Sequence, residues 1–122
     1  MKAKEALARL NSVYPTPIGK DEQMHALNEL ERMIYDEVVL DYDPVDTNFD
    51  PTIGVRDDDT LLASGTYEEL YVHWLPAQAA YDLHEYEQYT SSMQMFNSYY
   101  EKFVRKYAKA HRARDTYSFT GF

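Results

Sequence analysis

Seven side chains in the last third of the chain, Tyr86, Tyr89, Met93, Phe96, Tyr100, Phe103 and Tyr107, are spaced 3, 4, 3, 4, 3 and 4 residues apart. Only an α-helix needs that pattern, because those spacings put the side chains in one stripe. A helix from Glu85 to Ala110 is predicted, about 39 Å long at ~1.5 Å per residue. Tyr99 and Val104 widen the stripe enough to touch more than one neighbour. Base-stacking platforms also use aromatic rows, but most apolar helical stripes are core, and the stripe reads as a packing seam. Tyrosine in place of leucine suits a thin bundle or a subunit boundary, where the ring is buried and the hydroxyl stays wet.

A single such seam fits the size of the chain, whose 122 residues can bury one core. Ala3, Ala6, Leu7 and Leu10 share a face of a first helix, which "YPTPIG" stops. Asp21 is the expected N-cap of a second helix over 21–40, with Met24, Leu27, Leu30, Ile34 and Val38 on its apolar face. Residues 66–83 read as a third helix. Thr66 and Glu69 form a capping box, Trp74 lies on the packed face, and Pro76 removes the donor for the Val72 carbonyl. The fold class is therefore all-α, a small helical bundle ending in an antiparallel hairpin around "DLHEY". Residues 1–111 form one domain, with a long irregular acidic loop at 41–60 and a flexible tail at 112–122.

Charge is distributed unevenly along this chain of formal charge −9. Residues 41–60 hold seven aspartates against Arg56 alone. Such a segment is expected to be exposed, with Asp57, Asp58 and Asp59 leading into the next helix N-terminus, where negative charge is favoured. Lys102, Arg105, Lys106, Lys109, Arg112 and Arg114 stand against Glu101 and Asp115. Six cations exceed what a helix dipole needs, so this end is read as a docking surface for something acidic. In the tail, Tyr117, Phe119 and Phe122 lack helical periodicity and have no core left to complete. Together with Arg112 and Arg114 they are candidate interface anchors.

Catalytic and metal-binding patterns fare poorly. The chain has no cysteine, which removes disulfides, thiol catalysis and cysteine-ligated zinc. In "DTNFDPTIGVRD", Asp46, Asn48, Asp50 and Asp57 match calcium-loop positions, but Pro51 stands where the sharp turn needs glycine. His25, His73, His84 and His111 form no i, i+4 pair, and His84 with Glu87 reads as a surface pair. No phosphate-binding glycine loop or nucleophile elbow occurs. Neither enzymatic activity nor a cofactor is expected. "MKAKEALARL" is too charged for a signal peptide, and no apolar run is long enough for a membrane span.

The succession "LNELERMIYDEV", then an Asp-rich loop, then "YEELYVHWLPAQAAYDLHEYEQY" and "MFNSYYEKF" resembles the small helical head–tail connector (adaptor) proteins of long-tailed bacteriophages. The resemblance covers roughly residues 2–110, and Pro76 departs from the unbroken helix expected there. It implies a virion protein made in the host cytoplasm, forming a ring, usually twelve-fold, beneath the portal. That ring would join the portal to the tail or stopper protein and enclose the channel through which genomic DNA passes unbound. Asp46, Asp50, Asp57, Asp58 and Asp59 would then face the channel or a neighbouring subunit, and the 112–122 tail would dock on the portal or the next subunit. The alternative is a small helical binding or regulatory module that captures an acidic partner through its basic end.

Overall fold

Four α-helices carry the fold in the computed structural model, which describes residues 1–39, 49–50, 53–63 and 65–119, with the backbone alone for 65–66 and 111–119. They are α1 (Ala3–Val13), α2 (Lys20–Ile34), α3 (Glu69–Asp82) and α4 (Tyr86–Phe119). Among the described residues the only strand-like pairing is an isolated antiparallel bridge between Lys2 and Thr60. The chain is all-α, as its periodicity predicts.

In α1, Ala3, Ala6, Leu7 and Leu10 are buried, and Glu5 accepts the Lys2 N–H at 3.0 Å. Pro15 and Pro17 then prevent continuation. The second helix starts earlier than Asp21. Gly19 is its N-cap, and Asp21 and Glu22 lie in the first turn, where the dipole favours them. Leu27, Leu30 and Ile34 are buried, followed by Val38 and Val39 in a π-helical turn over Tyr35–Val39. Met24 is only half-buried.

The start of α3 also differs from expectation. Gly65–Glu68 forms a 3-10 turn, and the first α-helical residue is Glu69, with no side-chain cap. Nearby cations have claimed the local carboxylates: Glu68 binds the Met1 ammonium at 2.7 Å, and Glu69 lies 3.7 Å from Arg9. The helix runs on through Pro76, which is buried.

A tight turn reverses α3 into α4. The Glu85 N–H donates to the Ala80 carbonyl at 2.8 Å and the His84 N–H to the Tyr81 carbonyl at 3.1 Å. These are the two bonds of a Schellman motif, whose pivot must be left-handed. His84 is that pivot, at φ 60. A side chain there costs about 1 kcal/mol relative to glycine. His84→Gly is therefore expected to stabilise the fold by about 0.5–1 kcal/mol, measured by denaturant unfolding, even with loss of the exposed contact between His84 Nδ1 and the Tyr86 hydroxyl. A destabilised variant would mean that this contact outweighs the strain.

Helices α3 and α4 then pack antiparallel along the seam. Trp74 meets Phe96 with ring centroids 5.0 Å apart, and its indole N–H donates to the Ala26 carbonyl of α2 at 2.9 Å. Phe96, Tyr100, Phe103 and Tyr107 follow one another at centroid distances of 5.4, 6.4 and 5.8 Å. Phe96 and Phe103 are buried, while Met93, Tyr100 and Tyr107 pack half-buried against the core. Tyr89 sits half-buried beside Tyr81. Tyr86 is off the seam, 54% exposed, because it belongs to the first turn after the reversal.

Part of the acidic loop is tied down. The Val55 N–H donates to Asn28 Oδ1 at 2.6 Å, and the Ala3 and Lys4 N–H groups donate to the carbonyls of Asp59 and Asp57 at 3.0 and 2.9 Å. Residues 57–59 thus dock on the start of α1 rather than leading into the following helix. Free N–H groups at a helix start need acceptors, and this segment supplies them.

Candidate docking surface

Beyond Phe103, α4 outruns the helix that pairs with it. Its 34 residues span about 51 Å, against about 21 Å for the 14 residues of α3. Tyr67, just before α3, touches Phe103 at 6.0 Å. The next turns of α4, freed from covering α3, present cations. Tyr67, Lys102, Arg105, Lys106, Lys109 and Ala110 line an open groove with an aromatic and aliphatic floor and a basic rim.

The rim charges are largely unspent. Arg105 lies 3.3 Å from the exposed Glu101, and Lys102 hovers 5.8 Å over the Tyr99 ring. Among the described residues Lys102, Lys106 and Lys109 have no acidic partner. Such a groove can hold carboxylates or phosphates at its rim and an apolar side chain on its floor. It contains no nucleophile–base pair.

The sequence-predicted residues are distributed as follows. The backbone of α4 carries Arg112, Arg114, Tyr117 and Phe119 in helical conformation, past the end at Ala110 that the fading stripe suggested. Their side chains, and Phe122 altogether, lie outside the described residues, and so does the docking role assigned to them. Asp46, Asn48 and Pro51 of the calcium-like pattern lie outside as well. Asp50 is exposed, and its carbonyl accepts the N–H groups of Ile53 and Gly54 at 3.2 and 2.8 Å. Asp57 and Asp58 are exposed but ion-paired within the subunit, to Lys20 at 2.8 Å and Lys4 at 2.7 Å. Hydrogen bonding to Lys4 holds the Asp58 carboxyl below its ordinary range. Asp59 accepts the Arg56 N–H at 2.9 Å. No group of three or more potential metal ligands occurs among the described residues.

One polar cluster escaped the sequence reading. Glu31 of α2 is 1% exposed. Its Oε1 accepts a hydrogen bond from the fully buried Tyr71 hydroxyl, and its Oε2 accepts the Leu62 N–H at 2.8 Å. The Tyr71 hydroxyl in turn accepts the Ala63 N–H at 2.9 Å. The available signal was position: Glu31 stands four residues after Leu27 and three before Ile34, inside the apolar stripe of its own helix. In comparisons with known proteins, no family model, no curated protein and no solved structure matched this chain.

Proposed function

We propose that the chain is a non-enzymatic structural subunit of a virion, a head–tail connector that assembles as a ring beneath the portal of a long-tailed bacteriophage. The observation that carries the docking part of this reading is the basic groove on α4, whose Lys102, Lys106 and Lys109 lack acidic partners among the described residues. Three lysines without acidic partners around the half-buried Tyr67 stabilise this subunit little; they stabilise a contact with an acidic surface on the portal or a neighbouring subunit. The resemblance of the helical segments to connector proteins supplies the context. The formal charge of −9 suits a ring that must let DNA pass without holding it.

The groove supports a second reading, a free-standing module that captures an acidic protein partner. Assembly state separates the two. The connector reading expects the chain to join portal-bearing capsids as a ring, whereas a capture module stays small whether or not the portal is present. Reversing charge with Lys102→Glu, Lys106→Glu and Lys109→Glu is expected to abolish attachment to portal-bearing capsids, scored by co-sedimentation, while far-ultraviolet circular dichroism stays unchanged. Unimpaired attachment of a folded triple variant would remove the groove from the docking surface. Steeply salt-dependent binding of duplex DNA by the unaltered chain would turn the groove into a nucleic-acid site.

A further inference from the structure

The docking surface leaves Glu31 unexplained. A carboxyl group beneath the bundle surface is costly when ionised, and both of its hydrogen-bond donors, the Tyr71 hydroxyl and the Leu62 N–H, are neutral. One of these donors belongs to the segment 53–63, which crosses over α1 and α2 and is also held by backbone bonds, by the Val55 N–H to Asn28 Oδ1, by exposed ion pairs and by the buried side chains of Val55, Leu61 and Ala63. Leu61 N–H donates to the Met1 carbonyl at 2.9 Å, and Ala63 N–H to the Tyr71 hydroxyl. Lifting residues 61–63 would return the Glu31 carboxyl to water and undo several of these contacts together.

We infer that Glu31 is a proton-operated latch that holds the segment 53–63 down on α1 and α2 while it is protonated and loosens it on ionisation. This goes beyond the docking role and does not depend on it. The groups facing the latch are few. Tyr71 reaches it from α3, and Asp58 and Asp59 share with it the cleft completed by Phe49, Val55 and Thr60. Glu68 stands near Tyr71 but is paired with the Met1 ammonium. Asp58 and Asp59 pair with Lys4 and Arg56.

The direction follows from burial, which pushes the Glu31 carboxyl up to about 7 from an ordinary 4.5, against the pull of its two hydrogen bonds. A carboxyl whose acidity is weakened by folding contributes fully below its unfolded value, and that contribution is lost as pH rises through the folded value. The closed segment is therefore held best below about 4.5 and loosens progressively up to about 7 and just beyond.

Hydrogen exchange of the full chain, corrected for intrinsic base catalysis, tests this. The opening constant read at the Leu62 and Ala63 amides is expected to rise on the order of 50-fold between pH 5 and pH 8. Glu31→Gln keeps the shape and removes the titration, so its corrected opening should be level across that range. Should that variant fail to fold, the side-chain carboxyl carbon resonance of Glu31 in the unaltered chain serves instead, with a midpoint near 7 expected. A midpoint near 4.5, a level wild-type profile, or a Glu31→Gln profile as steep as wild type would each overturn the latch.

Discussion

Phe96→Ala is expected to destabilise the subunit by about 3–4 kcal/mol, the range for emptying a buried phenylalanine site. Phe96 is 2% exposed and lies between the Trp74 and Tyr100 rings, with centroids 5.0 and 5.4 Å away. Neither neighbour can swing in to fill the space. Trp74 is pinned by its bond to the Ala26 carbonyl, and Tyr100 by its hydroxyl donating to Glu37 at 2.6 Å. The loss therefore combines transfer free energy with a cavity that does not collapse. Denaturant unfolding followed by tryptophan fluorescence measures it, since Trp74 is the chain's one tryptophan. Tyr86→Ala serves as the control. That ring is 54% exposed and should cost about 0.5 kcal/mol or less. Equal effects at the two positions would mean that the stripe does not form the seam.

That contrast shows what the periodicity could reveal. A stripe reports where a helix is covered, so it located Phe96 and Phe103 correctly and overreached at Tyr86, which sits at the end of the hairpin against Tyr81, itself exposed. For the same reason it ended α4 too early. Ala108 is still buried and Lys109 and Ala110 are exposed, yet Lys109, Ala110, Arg112, Ala113 and Arg114 are good helix formers and the backbone stays helical to Phe119. Helix length follows propensity there, and the stripe follows contact.

Caps were less legible than faces, because a cap is a competition among acceptors. Asp21 and Thr66 are sound N-caps by residue type, but the helices begin at Lys20 and Glu69. The basic groove was half visible. Its lysines stand out as a charge run, whereas Tyr67 joins them only through the antiparallel pairing of α3 and α4. The docking of residues 57–61 on the first turn of α1 left no trace in the sequence, since backbone-to-backbone bonds across more than fifty residues impose no side-chain pattern. Glu31 was hidden by convention more than by physics. A glutamate on an amphipathic helix is normally solvated, and only its register with Leu27 and Ile34 betrays the burial.

Tyr71→Phe tests that buried cluster with the loss of one oxygen atom. The ring is fully buried and its hydroxyl has two duties, donating to Glu31 and accepting from the Ala63 N–H. Phenylalanine keeps the packing but strands a carboxyl oxygen and an amide, each costing about 1–3 kcal/mol when left unpaired away from water. A total loss of about 3 kcal/mol is expected, larger than most surface substitutions produce and obtained without creating a large cavity. The same change removes a bond that favours the ionised carboxyl, so the Glu31 midpoint should move upward from about 7. Stability measured at pH 8 should therefore fall further than stability measured at pH 5. Combining Tyr71→Phe with Glu31→Gln should cost less than the sum of the single changes, because one contact cannot be lost twice; the coupling expected for partners in one network is about 1 kcal/mol or more. Additive losses, or a Tyr71→Phe variant within about 0.5 kcal/mol of wild type at both pH values, would show that water already reaches the carboxyl and that Glu31 is not sealed beneath residues 61–63.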